Sequence, residues 1–348
     1  MILVDTALQE RQAQNNPIRV GIVGAGFMCQ GLTNQIENRV PGMRVAAISN
    51  RRVQRAVEVY GGQRFASVEQ LLQAVDVVQV CTPTVHHKEY VLQAAGTGKH
   101  VFCEKPLARH LMDARAMIAA CERAGVRLFV GQVLRFFPQY VRAKELVDAG
   151  VIGRPATIRL VRAAGHPAVS EARAWFRSVE ATGGCVLEGG VHDLDFARWV
   201  LGDVERVQAR GLTYRADLPV VGDHVLATLR FVSGAIGHVE ESWMVTDGRF
   251  RQRFEISGDH GSLIYDSLPP EPVTISLRSE SRPALLPAEP LHPSDDPYYR
   301  QLAHFVECLQ NDREFAVTPT DGLEAMRLSL AILEAMRAGQ SVLVKDVN

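Results

Sequence analysis

The sequence predicts an α/β protein: an N-terminal Rossmann dinucleotide-binding domain, then a C-terminal α/β domain with a large, mostly antiparallel open sheet. Three observations carry this expectation. From Ile18 to Val133, short continuous apolar runs alternate with helical patterns. The first of those runs, IRVGIVGAG (18–26), ends in Gly24 and Gly26. After Arg135 the texture changes to alternating segments with hairpin signals such as Ser233-Gly234. Continuously apolar strands each followed by a helix belong to a parallel sheet covered on both faces, whereas alternation marks a sheet with one wet face.

The elements follow in order. The strand at 18–26 leads to a helix ending near Glu37, and MRVAAISN (43–50) leads to a helix from about Val53. Then come VDVVQVCTP (75–83), a helix over 86–97, KHVFCEKP (99–106), a helix over 108–124 and VRLFVGQ (126–132). A helix near 138–149 stops at Gly150, where glycine favours a helix end. The strand PATIRLVRAA (155–164) precedes a helix within the glycine-bounded segment GGCVLEGGVHDLDFARWVLG (183–202). Four β-rich segments begin at Glu205, Asp223, Arg253 and Pro272, and prolines at 283–297 lead to helices near 298–310 and 320–338. The expected division is an N-terminal arm (1–17), a nucleotide-binding domain (18–135) and a substrate-binding and oligomerisation domain (136–348).

Composition narrows the function. A formal net charge of −1 over 348 residues gives no electrostatic reason to expect nucleic acid or an anionic membrane as partner. No apolar run approaches the ~20 residues that span a bilayer, and the first residues lack the basic start and apolar core of a signal peptide. Six scattered cysteines suggest reduced thiols, with no metal site. The expected location is cytoplasmic.

Gly24 and Gly26, straight after a strand and before a helix, fit a turn that lets backbone approach a pyrophosphate at a helix N-terminus, with Phe27 and Met28 opening that helix. Cys29 stands where a third glycine is usual. The end of the second strand, Ser49, Asn50, Arg51 and Arg52, lacks the carboxylate that clamps ribose hydroxyls. Its hydroxyl, amide and guanidinium groups suit a 2′-phosphate, so the expected cofactor is NADP, with NAD possible. Farther on, Glu188, His192 and Asp195 are spaced four and three apart, so a helix would present them on one face. A histidine near its ordinary pKa suits proton exchange at neutral pH. Asp193 reads as a solvent-side neighbour, and Asp195 either as a substrate contact or as a partner of Arg198. The acid-x3-His pair lacks the second histidine of a zinc helix, so no metal is expected.

The segment CTPTVHHKEYVLQAAGTGKHVFCEKPLA (81–108), with Glu104-Lys105-Pro106 at a strand end, resembles the signature of the Gfo/Idh/MocA oxidoreductases. The glycine-bounded segment and EISGDHGSLIYD (255–266) fit the same resemblance. It implies a sugar, sugar-derivative or cyclitol substrate, and a homodimer or homotetramer formed through the C-terminal sheet. The family's lysine falls on Lys105 and its histidine on His192. The family's aspartate falls on Glu188, one methylene longer. Thr82, Pro83, His87, Glu104 and Lys105 are then expected on the cofactor side. Lys105, Arg135, Trp175, His192 and Asp195 are expected near substrate, with Phe136 and His166 from segments facing the cleft. The implied reaction is hydride transfer between nicotinamide C4 and a secondary hydroxyl or ketone. The alternatives are a redox-neutral glycosidase or epimerase that uses a bound nicotinamide transiently, and a non-catalytic NADP-binding sensor.

Overall fold

The computed structural model describes the chain apart from residues 1–10, 12, 25, 27–39, 41, 50–62, 66, 168–170, 214–221, 246–248, 269–273, 278–283 and 286–295. Most of the expected arm and proline-rich stretch, and the helices expected after the first two strands, lie outside the described residues. The chain forms two compact units, one spanning Met1–Phe136 with Leu291–Leu323, the other Phe137–Pro290 with Glu324–Asn348.

In the first unit six parallel strands lie in the order β3-β2-β1-β4-β5-β6. They are β1 (Ile18–Val23), β2 (Met43–Ser49), β3 (Gln63–Arg64), β4 (Val77–Val80), β5 (His100–Cys103) and β6 (Leu128–Val130). Helices α1 (Val68–Ala74), α2 (His87–Gly96) and α3 (Leu111–Ala124) fall between strands. Every residue of β4 and β6 is buried, including Gln79 of β4, whose amide atoms have no hydrogen-bond partner. The order reverses between β1 and β4, and ligands of such sheets bind beyond the strands' carboxyl ends at that point.

The linear division at residue 135 assigns the helix at 297–310 to the C-terminal domain, but it packs on the first unit. This helix, α6 (Pro297–Gln310), is N-capped by Asp296, whose carboxylate accepts from the Tyr298 and Tyr299 amides. Phe129 of β6 is the hub of the packing. Its ring lies 4.9 Å from Phe102, 5.7 Å from Phe305 of α6 and 5.3 Å from Phe315.

The second unit is built on a nine-stranded sheet in which only the β7–β10 pair is parallel. Its strands are β7 (Pro155–Ala163), β8 (Val204–Leu212), β9 (His224–Phe231), β10 (Ile236–Ser242), β11 (Arg251–Gly258), β12 (Gly261–Asp266), β13 (Thr274–Leu277), β14 (Ala284–Leu285) and β15 (Val342–Leu343). In β9 Val225, Ala227, Leu229 and Phe231 are buried, while Leu226, Thr228 and Arg230 are exposed. Helices α4 (Pro138–Asp148) and α5 (Val191–Leu201) pack on the buried side. There the Tyr140 ring lies 4.7 Å from Phe196 and 5.2 Å from Phe254. The helix α7 (Pro319–Ala338) follows α6 in the chain.

Within the glycine-bounded segment the helix is not uniform. Val186–Gly190 form a π-turn that runs directly into α5. Such single π-turns are uncommon and concentrate at functional sites.

The aromatic hub gives a direct expectation. Phe129→Ala should destabilise the protein by about 3–5 kcal/mol, read as a lower denaturant midpoint. A loss below about 1 kcal/mol would mean that α6 is held by other contacts.

Candidate active site

The nucleotide side begins at the β1–β4 switch point. Gly24 has φ +98, and a Cβ there would lie 2.6 Å from the Cys81 carbonyl group and 2.7 Å from the Thr82 amide nitrogen. Only glycine fits this crossing. Gly26 is exposed, with no atom within 4 Å of where its Cβ would stand, so backbone there is open to approach. Both features fit a pyrophosphate cradle. Phe27, Met28, Asn50 and Arg51 lie outside the described residues, as does the side chain of Ser49 at the end of β2.

Thr82 and Pro83 follow β4 and are half-buried, and the Thr82 hydroxyl oxygen is buried without a hydrogen-bond partner. His87 opens α2, but its ring is wholly buried and occupied by backbone. Nε2 lies 2.9 Å from the Thr82 carbonyl oxygen, and Nδ1 lies 3.0 Å from that of Pro106 and 3.3 Å from that of Leu107. Burial pushes its pKa below the ordinary histidine value, against the opposing effect of those carbonyls. His87 therefore lies between the turn after β4 and the Lys105-Pro106 turn after β5, donating to one of them through whichever nitrogen carries the proton. Lys105 is half-buried at this turn. The neighbouring Glu104 is buried, with Oε1 unpartnered and its carboxyl 3.2–3.3 Å from where a Cβ on Gly131 would lie. Burial raises its pKa from the ordinary carboxyl value to about 7, with Lys105 pulling the other way.

Arg135 also has a structural task. Its Nη1 donates to the Ala316 carbonyl at 2.8 Å, and Nη2 stands 3.1 Å from Asp321. Its side chain is 5% exposed, so the guanidinium clamps the segment between α6 and α7 and does not face a substrate. Phe136 is likewise core, 6.2 Å from Phe129.

Glu188, His192, Asp195, Trp175 and His166 lie in the second unit. Glu188 is buried in the π-turn, and His192 is half-buried in the first turn of α5. Asp195 is fully buried. Arg198 directs Nε and Nη2 to Asp203, at 3.1 and 2.7 Å. Trp175 is half-buried and lies against Phe176 at 3.9 Å, while His166 meets Trp243 edge-on at 5.0 Å.

Asp193 is not a solvent-side neighbour. It is 0% exposed and accepts from Arg162 Nε of β7. Glu241 of β10, 2% exposed, faces it, and Oδ1 of Asp193, Oε1 of Glu241 and Nη2 of Arg162 are buried without a hydrogen-bond partner. The alternation signals both sheet residues: Ile158, Leu160 and Arg162 fall at inward positions of β7, and Gly237, Val239 and Glu241 at those of β10. Among the described residues, no helix is long and apolar enough to cross a membrane. None of their His, Cys, Asp and Glu side chains form a group of three or more that could hold a metal ion.

Residues 18–132 match the family described as "Oxidoreductase family, NAD-binding Rossmann fold", and residues 140–264 match the GFO/IDH/MocA C-terminal domain. The chain is 31% identical over 277 residues to myo-inositol 2-dehydrogenase of Thermotoga maritima, covering 78% of this chain and 81% of that one. It is 33% identical over 288 residues to 1,5-anhydro-D-fructose reductase of Ensifer adhaerens, covering 80% and 84%. Among solved structures, a probable dehydrogenase from Thermotoga maritima superposes with a TM-score of 0.80 at 29% identity, over 95% of this chain and all of the other. An aldose-aldose oxidoreductase from Caulobacter crescentus, complexed with glycerol, gives 0.83 at 27% identity, over 94% and 99%. Matched in its Rossmann sheet and in its C-terminal sheet, the chain belongs to the Gfo/Idh/MocA oxidoreductase family.

Proposed function

We propose that this protein is an NAD(P)-dependent dehydrogenase or reductase of a sugar, sugar derivative or cyclitol, acting on a secondary hydroxyl or ketone. The observation that carries the reading is that the second unit sets Glu188 in a π-turn running directly into the helix start that holds His192, in a chain whose first unit carries Lys105 at the turn after β5. The names of the two curated relatives, an inositol dehydrogenase and an anhydrofructose reductase, support the substrate class.

When bound, the nicotinamide supplies the hydride acceptor or donor at C4. Gly24 and Gly26 hold its pyrophosphate, with Thr82, Pro83 and Glu104 on the nicotinamide side. Lys105 donates a hydrogen bond to the reacting oxygen and stabilises the negative charge that develops there. His192 takes the hydroxyl proton in oxidation and returns it in reduction. Glu188 orients the imidazole, and Trp175 meets the substrate, while the fully buried Asp195 stays a residue of the α5 core face. The carboxylate-free end of β2 favours NADPH, with Arg51 and Asn50 on the 2′-phosphate. Exposed Leu226 and Ile236 on the outer face of the C-terminal sheet support assembly of copies through that face.

Three outcomes test the reading. Lys105→Met and His192→Asn should each slow single-turnover hydride transfer by about 10²–10⁴-fold while cofactor affinity stays nearly unchanged; a smaller loss would place proton handling elsewhere. Arg51→Ala should weaken NADPH binding by roughly ten- to a hundredfold and spare NADH, and equal losses would remove the 2′-phosphate assignment. Glu104 supplies a pH signature. Its folded pKa of about 7 lies above the ordinary carboxyl value of 4.5, so the folded state holds the proton more tightly. Stability should fall as pH rises from that ordinary value through 7, by up to ~3 kcal/mol in total. Glu104→Gln should flatten the pH–stability curve over that window, and parallel curves for variant and parent would mean that Glu104 is buried as a paired anion.

A further inference from the structure

The segment that carries Glu188 and His192 rests on charge buried in the sheet beneath it. Arg162 and Glu241 are register partners on the parallel strands β7 and β10, so their side chains leave the sheet side by side. Gln252 of β11, also buried, pairs with Arg162 on its other flank. Above them Asp193 accepts from Arg162 Nε and faces Glu241, with Oδ1 of Asp193 and Oε1 of Glu241 both buried without a hydrogen-bond partner. The π-turn lies on the same two sheet residues. A Cβ on Gly190 would stand 2.9 Å from Cγ and Cδ of Glu241, and one on Gly189 would stand 3.5 Å from Cδ of Arg162. Gly190 has φ −64, so it is the lack of a side chain, and not an unusual backbone angle, that lets the turn sit there.

The charges do not balance by themselves. One guanidinium faces two carboxyl groups, all almost wholly buried, and a net buried charge is strongly unfavourable. One proton between the carboxyls neutralises the cluster and supplies the donor that a carboxyl–carboxyl hydrogen bond needs. Burial first, and Asp193 next, push Glu241 well above the ordinary carboxyl value. Tyr140 of α4 and the Cys185 thiol just before the π-turn also face the pair, and Glu240, next to Glu241 on β10, acts on it from the opposite face of the sheet. Burial raises the pKa of both Tyr140 and Cys185, so both stay neutral and neither adds a further negative charge.

We propose that Arg162, Asp193 and Glu241 are positioning residues: a buried guanidinium–carboxyl–carboxyl cluster that holds one proton and thereby fixes the π-turn and the placement of His192. The inference rests on the proton-handling role assigned to His192. The cluster touches no reacting atom. It acts through two glycines, whose backbone can lie directly on the carboxyl and guanidinium stems, and through Asp193, the residue next to the imidazole.

The test compares Glu241→Ala with Glu241→Gln in the full chain. An amide has the carboxyl group's shape, donates to Asp193 and needs no proton, whereas alanine removes the support. Glu241→Ala should lower kcat by about ten- to a hundredfold, the loss expected for a misplacement of ~1 Å, with little change in KM. Glu241→Gln should restore kcat. The direct readout is the NMR titration of the His192 ring, assigned by its absence in His192→Asn. Its midpoint should move by about half a pH unit or more in Glu241→Ala and return in Glu241→Gln.

An unmoved His192 titration in a folded Glu241→Ala protein overturns the proposal. If the titration responds while His192→Asn remains fully active, positioning stands and the catalytic role of His192 falls. Should Glu241→Ala not fold, the parent and Glu241→Gln are compared at alkaline pH. The His192 signal should change in the parent as the pair loses its proton, and stay fixed in the amide variant. Identical behaviour there overturns the proposal as well.

Discussion

Arg162 and Asp193 meet where water reaches neither, and the geometry of the second unit's candidate site follows from how that encounter is resolved. An ion pair taken out of water is strongly destabilised when one partner is removed, by about 3–5 kcal/mol, because the remaining charge has nothing to answer it. The pair therefore tolerates little movement. Arg162 is held from a central strand flanked on both sides by register partners, and Asp193 sits in the first turn of α5. A sheet and a helix start are thus joined by a contact that is directional, where an apolar contact would let the helix slide. His192 adjoins the anchored residue, and Glu188 lies one turn before it.

The first unit solves the same problem without charge. His87 reaches from the start of α2 to backbone carbonyls of two turns, and burial lowers its pKa. A neutral ring carries a single N–H, so it donates to a carbonyl of one turn while its other nitrogen packs against the second. Lys105 sits on one of these two turns. The polar groups in these two regions thus divide into those that hold backbone in place and those left to meet ligand.

Much of this was legible in the sequence, for physical reasons. Strands β1, β4, β5 and β6 announce themselves because a strand buried on both faces is mostly apolar, with Arg19, Gln79 and His100 the polar exceptions. Gly24 reads correctly because a turn between strand and helix at that position leaves no room for a side chain. The π-turn was not legible, since the spacing of Glu188, His192 and Asp195 satisfies an ordinary helix equally well, and the turn follows from the sheet residues below it. Asp193 was misread because an aspartate on a helix is usually solvated, and its partners Arg162 and Glu241 come from strands 31 residues before it and 48 after it. Arg135 and His87 were assigned to ligand for the same reason. Their partners at Asp321 and Pro106 are set by tertiary structure, which residue type alone does not encode.

The return of Leu291–Leu323 to the first unit has a consequence for how the chain comes to be made. As the ribosome delivers Phe102 and Phe129, the rings that will cover them, Phe305 and Phe315, have yet to be synthesised. At ordinary elongation rates that interval is roughly 10–30 s. Through it the nascent Rossmann sheet has an apolar flank with no native cover, while eight of the nine described strands of the second sheet, β7 to β14, are synthesised. Vectorial synthesis therefore makes the nucleotide-binding unit the first to begin folding and a late one to finish. Its completion is timed to the moment when nearly all of the second sheet has left the ribosome.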